Sequence, residues 1–411
     1  MRKLAVAAVL IVVPILALAR FQRPAPAPVP VVSEETVSPD VIPAHLRNLT
    51  LAYDENMGYI RSLLKALNIP ESSQAFVFGR NSFQIDQISP SRPRAVYFND
   101  DTYVGFVQGG RFIEIAIADP EAGPVFFTLD QKKVEKPTFL KETSNCLVCH
   151  DSGGNGIPRL LVLSTIPDAI GTAMGQTVYS NDDGSPLKER FGGWYVTGTH
   201  GNQRHMGNVF APRRTTEIRD VNTYAKQFDM TTGGNVTDLS KFFDTKPYPT
   251  PHSDIVAHLV LAHQTHVHNV IARAVFKVDE ARKERLAPEQ VEKVIKDYGE
   301  PIIETMFFSG AAPFEDPIQG TTTFASEFAA AGKRDSKGRS LKDLDLKTRL
   351  MKYPLSYIVY TDSFKKMPAN LKAYVDRRFR EVLSGEDKSA AFAHLSASDR
   401  AAISEILADT Q

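Results

Sequence analysis

The amino-acid sequence predicts an α+β fold: an N-terminal antiparallel β-rich part, then a mainly helical part. Three observations lead there. Short runs of β-branched and aromatic residues, bounded by Asn, Asp, Gly or Pro, crowd residues 75–129. From about Ser253 onward, apolar residues recur at helical spacing instead. Between the two lies a glycine-rich, irregular stretch, 151–215.

The chain begins MRKLAVAAVLIVVPILALA. Arg2 and Lys3 precede an apolar run from Leu4 to Ala19 that ends in an Ala-x-Ala cleavage pattern, so 1–19 reads as a signal peptide. A membrane span needs about 20 apolar residues, and Pro14 weakens a helix here; an uncleaved membrane anchor is the alternative. Both readings put the remaining chain outside the cytoplasmic membrane, with a periplasmic or other extracytoplasmic location. No cysteine lies near Ala19, which excludes a lipid-anchored cysteine there. Residues 20–43 are proline-rich and poor in aromatics, the composition of an extended tether.

Folding proper is expected from Ala44, with a helix-plus-β subdomain over 44–140 and a mainly helical region over 141–411. Met57, Ile60, Leu63, Leu64 and Leu67 predict a helix within 50–68, ended by Pro70. Strands follow at AFVF (75–78), RAVYF (94–98), YVGFV (103–107), RFIEIAIA (111–118) and PVFFTL (124–129). Gly109-Gly110 reads as a hairpin turn. Alternation of Ile113, Ile115 and Ile117 buries one face of its strand. Further on, GGWYVTG carries the only tryptophan, Trp194, either as core in a strand and turn or beside a flat ligand that glycines let approach. Helices are predicted at SDIVAHLVLAHQTHVHNVIARAVF, at PEQVEKVIKDYG from Pro288, at MPANLKAYVDRRFREVLSG up to Gly385, and after Ser396, with Asp399 completing a capping box. Residues 329–340 (AAAGKRDSKGRS) read as a mobile loop with a solvated charge run.

Lys and Arg number 48, as do Asp and Glu, so the formal net charge is zero and no basic excess supports nucleic-acid binding. The chemistry concentrates in NCLVCH, 145–150, which holds both cysteines of the chain. Cys146, Cys149 and His150 stand at i, i+3 and i+4, one face of a helix. Two thiols there can add to the two vinyl groups of haem while the adjacent imidazole reaches the iron. A redox dithiol has no need of the histidine. A closed zinc site needs four ligands, usually including a second Cys/His pair; no second cysteine pair exists, and a zinc protein stands as the non-haem alternative.

Cys146-x-x-Cys149-His150 resembles the attachment site of c-type cytochromes. Longer stretches (ETSNCLVCH, GGWYVTGTHG, RHMGN and AHQTHVHN) resemble a group of exported single-haem cytochromes predicted in bacterial genomes. The resemblance covers most of the chain after the tether. It implies one covalently attached haem c, with His150 as proximal iron ligand. Unlike small electron carriers, this chain is several times longer than such a domain needs, and a sheet precedes the motif.

The sixth iron ligand has three candidates. Met206 lies in a downstream loop, where small cytochromes resembling this motif often supply a methionine; Met174 is the next best methionine. His263 falls within the apolar arc of its helix, among Val256, Leu259, Val260, Val267, Val270, Ile271 and Ala274, whereas His258 and His268 point away from that arc and His266 sits on its rim. His200 is the third, with His205 beside Met206. Each histidine has the alternative of being a satisfied core imidazole, and an open iron site is a further possibility. Electron transfer to a redox partner protein is the expected function. The alternatives are a peroxidase-like haem enzyme acting on a small oxidant, with His200, His205 or His263 as acid/base, and a haem-based redox or gas sensor.

Overall fold

The computed structural model describes residues 43–411 apart from 81, 152–154, 212–219 and 228. The signal or anchor segment and the proline-rich tether lie outside the described residues, except for Pro43. The described residues from 43 onward belong to one compact unit, so the β-rich and helical parts share it.

In chain order its first half runs α1 (Ala44–Arg47), α2 (Ile60–Ala66), β1 (Ala75–Val77), β2 (Arg94–Phe98), β3 (Thr102–Val107), β4 (Phe112–Asp119), β5 (Gly123–Asp130), β6 (Phe139–Glu142) and α3 (Leu147–His150). There follow β7 (Leu163–Pro167), β8 (Ala173–Ser180), β9 (Trp194–Tyr195), β10 (Gly198–Thr199) and α4 (Val221–Gln227). The rest is α5 (Ile255–Lys283), α6 (Pro288–Met306), β11 (Gln319–Gly320), α7 (Phe324–Ala330), α8 (Asp362–Lys365), α9 (Ala369–Ser384) and α10 (Ala397–Thr410). The fold is α+β, as the sequence predicts.

Seven antiparallel strands form the main sheet in the order β6-β5-β4-β3-β2-β1-β9. Side chains alternate across it. One face carries Tyr97, Val104, Phe106, Ile113, Ile115 and Phe127, which pack on Ile60, Leu63 and Leu64 of α2 and on Phe243 and Tyr248. The opposite face meets α5 through Val96, Phe98, Tyr103 and Ala116. The β3–β4 turn closes with Gly110 N–H donating to the Val107 carbonyl, and Gly109 takes the positive φ (65°) such a turn requires.

Four expectations need correction. The first long helix is only Ile60–Ala66, because the Asp54 carboxylate accepts the Asn56 and Met57 N–H groups and holds the preceding chain in a turn. The stretch 151–215 is not merely irregular: it contains the β7–β8 hairpin and lends β9 to the main sheet. Trp194 is core, donating its indole N–H to the Leu163 carbonyl. The loop 329–340 is pinned as well as charged. Arg339 bridges the buried Asp335 carboxylate and Glu405, and Ser336 bonds Asp409. Lastly, α5 is buried on both sides. Its apolar arc faces the C-terminal helices and its other side faces the sheet, so His258 and His268 are as buried as His263. The helix ends follow their signals: Asp254 caps α5, Ser396 and Asp399 form the capping box of α10, and Gly385 closes α9 at φ 76°.

Candidate functional site

The strand β6 ends at Glu142, and the chain then makes the single turn α3. His150 N–H donates to the Cys146 carbonyl at 2.9 Å and Cys149 N–H to the same oxygen at 3.2 Å, so the three motif residues share one helical turn. Both thiols are free, Cys146 half-buried and Cys149 exposed. Burial pushes the Cys146 thiol up to about 12, with the nearby carboxylates of Glu142 and Glu114 adding to it, so it stays protonated at neutral pH.

His150 is held on two sides. Its ring lies 4.7 Å from that of Phe126 on β5. Its Nδ1 lies 2.7 Å from the Arg159 carbonyl oxygen, while Arg159 N–H donates back to the His150 carbonyl. A carbonyl only accepts, so Nδ1 carries the proton and Nε2 keeps its lone pair. Nε2 makes no hydrogen bond among the described residues. This is the outer partner that metal-ligating histidines use to fix tautomer and orientation. Burial lowers the His150 pKa, opposed by the Arg159 carbonyl, which keeps the ring neutral as a ligand must be. Two unbonded thiols and a neutral, oriented imidazole on one turn fit the proximal side of a covalently attached haem.

The sheet face under the motif is defined by register. Glu142, Phe126 and Ala116 form one row across β6, β5 and β4; Leu140, Thr128 and Glu114 form the next. Glu142 is oriented by Thr128 and Asn145. Arg94 on β2 reaches over β3 to Glu114, N···O 2.6 Å, with Ser82 and Gln84 completing the network. Further along this face Phe83 stacks on Phe112, and Phe83 and Leu140 are exposed. Arg94, Glu114, Phe126 and Arg159 carried no signal in the sequence, since their roles come from strand register and from a backbone carbonyl.

The sixth-ligand candidates lie in other networks. His263 is fully buried with both nitrogens engaged: Nδ1 to Asp183 at 2.7 Å and Nε2 to Ser356 Oγ at 2.8 Å, its ring stacked on Phe308. Burial raises the Asp183 carboxyl, but the His263 ring and its hydrogen bond outweigh this and hold it below the ordinary carboxylate range. Serine, histidine and aspartate here have the spacing of a nucleophile relay. Ser356, however, is wholly buried and its Oγ accepts the Ile358 N–H, so no substrate reaches it. Met206 sits in a small core with Ile166, Met174, Val209 and Ala211, its sulfur 3.8 Å from Ser164 Oγ.

The structure does bring His200 and His205 together, with ring centroids 4.7 Å apart. Asn235 N–H donates to His200 Nε2 and Gly207 N–H to His205 Nδ1. Burial, reinforced by His200 and His258, lowers His205 to about 3. Burial also lowers His200. Among the described residues no hydrogen bond or ring contact of His200, His205, Met206 or His263 reaches Cys146, Cys149 or His150. Among the described residues no group of three or more His, Cys, Asp or Glu converges as a metal cage, and no helix is long and apolar enough to cross a membrane. Compared with known proteins, the chain matches no family model, no curated protein and no solved structure.

Proposed function

We propose that this chain is an exported single-haem c-type cytochrome that transfers electrons. The observation that carries the reading is the α3 turn: two free thiols and an imidazole whose Nδ1 is committed to the Arg159 carbonyl and whose Nε2 is not. Cys146 and Cys149 would hold the haem through thioethers and His150 would ligate its iron. The bound group supplies reversible one-electron chemistry. The protein's part is to orient the imidazole through Arg159, to shield one side with Phe126 and the sheet, and to set access. Val148 is 85% exposed and Cys149 is exposed, which supports exchange of electrons with a partner protein at this surface.

One observation favours a second reading. Met206 is packed in a core, His263 has both nitrogens bonded, and His200 has Nε2 bonded. An iron held by His150 alone would be open to a small oxidant or gas, as in a haem enzyme or sensor. The test is direct. Denatured, acid-acetone-extracted protein should retain haem-stain activity on a gel. Haem leaving with the solvent, or zinc in place of iron, overturns the proposal. Spectra of the ferrous protein with and without carbon monoxide then separate the two readings: rapid binding removes the simple carrier.

A further inference from the structure

We infer that Arg94 and Arg159 are the carboxylate-binding side chains of the His150 site, placed to receive the two propionates of the haem proposed above. The inference rests on that reading and extends it to this chain's own residues.

Two unsatisfied donors carry it. The Nε–H groups of Arg94 and Arg159 are both buried, and neither has a hydrogen-bond partner. A buried donor left unpaired costs about 1–3 kcal/mol, more when charged, so two such donors in one region call for an acceptor. Both guanidinium groups act electrostatically on His150, together with Glu114. Arg159 has no ion pair among the described residues, and it is anchored by its own backbone to His150, through its N–H and its carbonyl. Arg94 is held from one side only. Its Nη1 bonds Glu114 and Ser82, and its Nε takes no part in that pair.

The sheet is shaped for this arrangement. Gly105 is the β3 residue opposite Glu114, between it and β2. A Cβ at Gly105 would stand 3.1 Å from the Glu114 carboxylate and 3.6 Å from Arg94 Cδ, so glycine lets the pair lie flat. Leu140 and the Phe83–Phe112 stack offer apolar surface on the same face of the sheet. An amphipathic ligand fits this division: a flat apolar body against Leu140 and the phenylalanines, and carboxylates toward the arginines. Arginine suits the role because its planar fork pairs with carboxylate oxygens and never loses its charge.

The experiment uses the haem-loaded full chain and compares Arg159→Gln, Arg159→Lys, Arg94→Gln and the double variant Arg94→Gln/Glu114→Gln. All should keep covalent haem by gel stain. Arg159→Gln and the double variant should show a fall in reduction potential, because a propionate freed from its cation stabilises the ferric state. That potential should also become pH-dependent through the neutral range as the freed propionate titrates. Arg159→Lys should recover part of the loss. Fully haem-loaded variants with unchanged potential and unchanged pH dependence overturn the inference and leave the cytochrome reading intact. Absence of haem from the unmutated protein overturns the cytochrome reading itself.

Discussion

Two regions of this molecule carry histidine, and they use it in opposite ways. The α5 helix has four imidazoles in eleven residues: His258, His263 and His268 are buried between sheet and C-terminal helices, and His266 is half-buried. The α3 turn has one, half-buried at the surface. The three buried rings are bonded inward. His263 joins Asp183 to Ser356, His268 joins the Asp100 carbonyl to Ser363, and His258 meets Ser253 and the Tyr195 carbonyl. Each ties α5 to a segment distant in sequence. In α3, His150 spends one nitrogen on its support and keeps the other. The buried α5 imidazoles thus serve as polar staples in a core, whereas His150 stands at the surface beside two free thiols with its Nε2 unbonded.

Substitution should separate the two regions most sharply. His150→Ala should remove the axial ligand and change the iron spectrum completely, with little effect on the melting of the helical layer. His263→Ala should do the reverse. It leaves the Asp183 carboxylate buried without its partner, and breaking a buried pair costs about 3–5 kcal/mol. Thermal melts read beside visible spectra check both. A changed spectrum in His263→Ala would make that residue an iron ligand and erase the contrast.

Met206 stands between the regions, since its sequence position predicts a ligand and its surroundings are core. Met206→Ala should open a cavity among Ile166, Met174, Val209 and Ala211 and cost about 2–5 kcal/mol. The ferric spectrum should keep its form. Loss of a long-wavelength sulfur-to-iron band, with a fall in potential, would instead identify Met206 as the sixth ligand.

The strands β2 to β5 and the helices α5, α6, α9 and α10 were legible because each satisfies a local rule: alternation, helical spacing, a cap, or a terminal glycine. The α3 turn was legible as spacing. What was hidden depends on partners remote in sequence. Nothing in Arg159 announces that its carbonyl supports His150, and nothing in Arg94 and Glu114 shows that they meet over Gly105. The periodicity of α5 placed His263 on the apolar side correctly and His258 and His268 away from it, with no sign that this other side is buried too. A helical wheel reports one face, whereas burial of the other depends on the sheet that covers it. Asp335 is the surface counterpart: its loop reads as solvated until Arg339 and Glu405 close over it.

The most gradual effect expected is an acid dependence that belongs to the buried histidines. Burial holds His205 at about 3, with His200 and His258 adding to the shift. Burial likewise holds His258 at about 4, against the hydrogen bond to the Tyr195 carbonyl. In the unfolded chain both titrate near the ordinary value of about 6.5. The unfolded state therefore binds more protons throughout the interval below that value. Stability is complete above about pH 6.5 and declines as pH falls toward the two folded values, by about 1.4 kcal/mol per pH unit for each group. Carboxylates add their own loss only at lower pH. Burial raises Asp387, but its Arg378 hydrogen bond outweighs this and brings it to about 2, so its contribution begins to fade only near the ordinary carboxylate range. Between about pH 6.5 and 4.5 the slope is thus a histidine slope. Denaturant melts across that interval should show it, and His205→Gln and His258→Gln should each remove a share. The His150→Ala protein should lose only the share of its own lowered imidazole and keep the shares of His205 and His258. A slope unchanged in both glutamine variants would show that the acid response arises outside this buried cluster.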